Sequence, residues 1–192
     1  MRRSKLLLAG AAVLGAAIAA VAIAFAVRDA GSGRLQTTAW AGAVCTSLSE
    51  WRSSITALAD VSGGTLTKES LREKLAAAED ATAKLTADLR ALGPPDLEAG
   101  DEVKRELDAS VTALESTYAE LRAGAQDALD AEDPASFLRS LARLAPTFQR
   151  LLDQIAGTVE TLQNADVAAE ARAELERAFA EAEPCRALTA EG

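Results

Sequence analysis

The chain has 192 residues, with 20 Lys plus Arg against 29 Asp plus Glu, a net charge of −9 and no histidine. Alanine supplies 45 residues and Gly plus Pro only 17, which excludes a collagen-like fibre and argues against a β-sandwich. The acidic balance argues against nucleic acid as a partner, and the missing imidazole removes the commonest general base and metal ligand.

The first thirty residues form a separate object. Arg2, Arg3 and Lys5 precede Leu6 to Val27, a run of 22 residues without a charge. As a helix that run is about 33 Å long, enough to cross the roughly 30 Å core of a bilayer. We therefore expect a transmembrane signal anchor at 6–27, with 1–5 in the cytoplasm, 28–37 as a linker and 38–192 as an extracytoplasmic bundle. The basic residues before the span set that orientation. The implied location is the cell membrane, single-pass. Ala24–Phe25–Ala26 also suits cleavage, which would make the segment a signal peptide and release the rest as a secreted domain.

Beyond Asp29 the chain carries 16 basic and 28 acidic residues. A first helix is expected from Thr38 to Val61, with Val44, Leu48, Trp51, Ile55 and Leu58 on one face at spacings of three and four. Ser62–Gly63–Gly64 ends it. Thr67 caps the second, whose seam is Leu71, Leu75, Ala78, Thr82, Leu85, Leu89 and Leu92, and Gly93–Pro94–Pro95 stops it. A third helix, 97–130 with Asp96 as its cap, carries a stripe from Val103 through Leu107, Val111, Leu114, Tyr118, Leu121 and Ala125 to Leu129. Asp133–Pro134 starts the fourth, which runs from Phe137 to Leu162 with Pro146 expected to kink or split it. A short last helix covers Val167 to Glu183. No period-2 alternation competes, so the fold class is all-α: an antiparallel up-down bundle of four main helices plus a short C-terminal helix, preceded by the N-terminal transmembrane helix.

The two cysteines carry the most information. Export into an oxidising space and an even count suggest that Cys45 and Cys185 pair as a structural disulfide. The order of features then becomes distinctive: Cys45–Thr46 with Glu50–Trp51 close behind, the run Leu89 to Asp96 leading into Gly100 and Val103–Lys104, and a late Ala178–Phe179 before Cys185. That order resembles uncharacterised small secreted or membrane-anchored helical proteins of actinobacteria with a cysteine pair. The resemblance implies an exported helical domain with a bridge and brings no activity with it.

Catalytic and metal constellations are not found. Asp127, Asp130, Glu132 and Asp133 lack the alternating ligands, turn glycine and distal Glu of a calcium loop. Ser53, Ser54, Ser110 and Ser116 have no histidine to activate them, and Lys68, Lys74, Lys84 and Lys104 fall at solvated phases of their helices. Trp51 reads as core, and Trp40 caps the bundle or rests at a lipid interface. We expect no enzyme, catalytic residue, metal or cofactor. The expected function is a membrane-tethered interaction or structural module with a protein partner. The alternative is a binding protein for a small hydrophobic or lipid ligand held between helices, where inward alanines leave room; solid packing favours the first and an internal channel the second.

Overall fold

The computed structural model describes residues 35–59 and 67–190. Among these residues lie six helices: α1 (Thr37–Ala59), α2 (Lys68–Ala91), α3 (Gly100–Asp130), α4 (Pro134–Gln163), α5 (Ala169–Glu181) and α6 (Glu183–Ala190). Successive long helices run antiparallel. Trp51 of α1 donates from its indole N–H to Thr82 Oγ1 of α2 at 2.8 Å, while Lys74 Nζ, one helix end away, reaches the carbonyl of Ala57. Arg90 meets Glu115 and Arg122 meets Glu79 across α2 and α3. Arg150 meets Glu120 across α3 and α4. Helices α5 and α6 return alongside α1 and in its direction, since Thr37 reaches Glu174 and Arg52 reaches the carbonyl of Leu188.

The stripes read from spacing bury as one core. Val44, Leu48, Trp51 and Ile55 of α1 pack with Leu85 and Leu89 of α2, Val103 to Leu121 of α3, Leu151 to Leu162 of α4, and Leu175 and Phe179 of α5. Trp40 is fully buried, donates to the carbonyl of Gly93 at 2.9 Å and meets the Phe179 ring edge-on at 6.2 Å. It caps the bundle floor, which replaces the lipid-interface alternative.

Several local expectations are corrected. Asp96 does not cap α3: its backbone N–H donates to Leu35 O, pinning the chain before α1 to the turn after α2, and α3 begins only at Gly100. Gly100 is required there, because a Cβ would run into the carbonyl oxygen of Pro95. The caps at Thr67 and Asp133 form; Thr67 and Ser70 exchange side-chain bonds with each other's backbone N–H. Pro146 does not split α4, which is continuous; it lies on the solvent side, where water can take up the carbonyl bond it leaves open. The last segment is two helices rather than one. Ala182 turns extended, and Pro184 sits in the first turn of α6, where its missing N–H costs nothing.

The membrane helix expected at 6–27 is the largest correction. Among the described residues no helix is long and apolar enough to cross a membrane. The physical reason is periodicity: each of the long helices interleaves an apolar stripe with charged or hydroxylic positions, as with Glu50 and Arg52 between Leu48 and Ile55. Residues 6–27 themselves lie outside the described residues, as does the Ser62–Gly63–Gly64 break. The transmembrane helix, its signal-anchor role, the membrane as partner and the single-pass location with an extracytoplasmic bundle have no counterpart among the described residues.

Candidate functional site

The α4 stripe does not bury evenly. Ile155, Val159 and Leu162 are buried, whereas Leu141, Leu144, Phe148 and Leu152 are only half-buried. Leu58 at the end of α1 and Leu75 near the start of α2 share that partial exposure. Helix lengths explain the coincidence. The α1 helix has 23 residues and stops beside Lys74, whereas α3 and α4 have 31 and 30 and continue past it. Beyond Ala59, the described helices around this space are α2, α3 and α4.

The result is a cleft of about 360 Å³. Leu58 closes it from α1, Leu71 and Leu75 from α2, and Leu121 and Ala125 from α3. Leu141, Leu144, Ala145 and Phe148 form the α4 wall, and Gln149 is its one polar lining residue. The cleft also divides the core. On one side lies the main cluster; on the other, Leu71, Ala128, Leu129 and Phe137 form a small separate cluster with Leu75 and Leu141 against it. Gly124 lets α3 and α4 approach here, since a Cβ on it would stand 2.5 Å from Leu144 Cδ2.

A second depression, about 620 Å³, lies between α1, α4 and α6. Its floor is Leu152, Ile155, Val159 and Leu188, and its rim carries Arg52, Asp153, Glu160 and Gln163. Gln149 lines both hollows and donates from Nε2 to Asp153 Oδ1 at 2.9 Å.

The residues singled out from sequence fall elsewhere. Cys45 and Cys185 are bonded to each other, with Cα atoms 5.0 Å apart and both side chains buried where α1 meets α6. They form a staple, away from the cleft lining. Ser53 and Ser54 donate to carbonyls one turn back in their own helix. Lys84 bridges Asp88 and Glu50, whose hydrogen bonds raise its pKa above the ordinary lysine value. The acidic group near Asp133 is not brought together as a ligand set. Asp133 accepts from the Ser136 hydroxyl and the N–H groups of Ser136 and Ala135, which holds its carboxyl below the usual range. Among the described residues no group of three His, Cys, Asp or Glu could hold a metal ion.

Sequence reasoning allowed room between helices but assigned it to inward alanines, and it did not place the cleft among Leu58, Leu75, Leu141, Leu144 and Phe148. The signal was present in stripe length: five core positions on the first helix against eight each on the third and fourth. Fold and site together define the class of an all-α bundle with an apolar inter-helix cleft. No protein-family model matches the chain, and no curated protein or solved structure shows significant similarity to it.

Proposed function

We propose that this bundle is a binding protein for a small apolar guest, seated in the cleft where α1 ends. The observation that carries the reading is a hollow of about 360 Å³ faced by nine apolar side chains and one amide. That size lies at the lower end of the range for small-molecule sites, roughly 300–1,000 Å³, as does its apolar lining with one polar group to orient a guest. Fully burying a leucine-sized side chain is worth about 1.5–3 kcal/mol, so the half-buried Leu58, Leu75, Leu141, Leu144 and Phe148 each leave part of that unrealised. A guest that covers them recovers it, less its own lost freedom. The lining consists of nine apolar side chains and the Gln149 amide, a set suited to holding an apolar guest.

The test is titration of the disulfide-bonded protein with 1-decanol, followed by methyl NMR of the leucines. Saturable shifts centred on Leu75, Leu141 and Leu144, with Leu107 and Leu175 in the closed core unmoved, are the expected result. If the cleft methyls do not respond at the solubility limit of the alcohol, the reading fails.

A further inference from the structure

The two hollows share Gln149, and their linings change in character across it. Toward α2 and α3 every neighbour is apolar; toward α6 the floor stays apolar but the rim becomes charged. Both lie along one side of α4, where half-buried Leu144, Phe148 and Leu152 border exposed Gln149 and Asp153. Leu144 and Asp153 are nine residues apart, about 13 Å along the helix axis. Taken together they make an amphipathic trough: an oily end, a polar threshold at the Gln149–Asp153 hydrogen bond, and an end rimmed by ionic groups.

The sign of that ionic end is acidic. Asp153 and Glu160 stand there against Arg52, whose guanidinium donates to the carbonyl of Leu188 at 2.9 Å. The chain as a whole adds a net charge of −9, which raises the local concentration of cations and lowers that of anions. An alkyl chain is thin enough to lie along such a trough, and a cationic head complements its acidic rim.

Resting on the cleft reading above, we propose that the guest is a single-chain amphiphile with a cationic head. Its tail lies among Leu75, Leu144 and Phe148, and its head lies beside Asp153 and Glu160, past Gln149. Glu160 and Asp153 are exposed, so neutralising them leaves the core untouched.

Calorimetric titration of the full chain with decyltrimethylammonium, decanoate and 1-decanol, each below its aggregation limit, separates the contributions. The cation should bind about tenfold more tightly than decanoate, a gap that narrows as salt rises. In the double variant Asp153→Asn, Glu160→Gln, checked for unchanged helicity by circular dichroism, the two should come within about twofold of each other. Equal or tighter binding of decanoate, or a gap indifferent to the double variant, overturns the head-group assignment while leaving the cleft occupied. Failure of all three probes, the alcohol included, removes the cleft reading itself.

Discussion

Tyr118 shows how a single side chain couples the core to pH. It lies at the boundary between α2 and α3, nearly buried, with its hydroxyl 3.5 Å from the carbonyl of Leu75. Burial pushes its pKa up to about 12, and the carboxylate of Glu79 adds to the effect. The phenol is therefore harder to ionise in the folded chain than in the unfolded one, whose value is about 10. Its contribution is fully present below pH 10 and is lost as pH rises from about 10 towards 12. Denaturant unfolding of the parent and of Tyr118→Phe should give parallel pH profiles up to about pH 10. Above that the parent should fall more steeply; identical profiles to pH 12 would show that the phenolate is not excluded. The position was legible from its place on the α3 stripe. Its polar neighbours were not, because Thr82 and Leu75 reach it only through the packing of another helix.

At the scale of elements, two glycines of α3 make opposite predictions. Gly100 faces the backbone carbonyl of Pro95, which cannot yield without moving the turn that holds Leu35. Gly100→Ala should lose about 2 kcal/mol despite alanine's better helix propensity. Gly124 faces only the tip of Leu144, which borders the cleft and has room to turn into it. There the propensity gain, up to about 1 kcal/mol, offsets the displaced contact, and Gly124→Ala should stay within about 0.5 kcal/mol of the parent. The displaced leucine tip narrows the hollow, so decanol affinity should fall while stability does not. Chemical denaturation and the alcohol titration check both halves. Helix existence was readable from spacing, and so were the caps at Thr67 and Asp133, because each depends on residues within one turn. The Asp96 assignment failed for the complementary reason: α3 begins only at Gly100, after a turn pinned by Leu35, a residue about 60 positions away whose approach no local pattern announces.

For the molecule as a whole, the Cys45–Cys185 bond is the longest covalent constraint, closing 140 residues. The chain-entropy model values such a closure at about 5 kcal/mol, an upper figure because native strain subtracts from it. Reduction, or the double variant Cys45→Ala, Cys185→Ala, should lower the unfolding free energy by a few kcal/mol up to that limit. Hydrogen exchange should then show the amides of α6 losing protection before those of α3, since α6 is a short helix held against α1 largely by that bond and by Leu188. An unchanged midpoint under reduction would mean that packing alone closes the bundle.

Composition and periodicity by themselves determined that the described chain is helical, where most helices lie, and which residues face inward. Those properties follow from neighbours three and four positions apart, which any reader of the sequence has in hand. The cleft, its shared amide and the return of α5 and α6 along α1 were decided only in three dimensions. A hollow is a mismatch in length between helices distant in the chain: α1 ends at Ala59 while α3 and α4 run on, and the unmet side chains are as apolar as those that found partners.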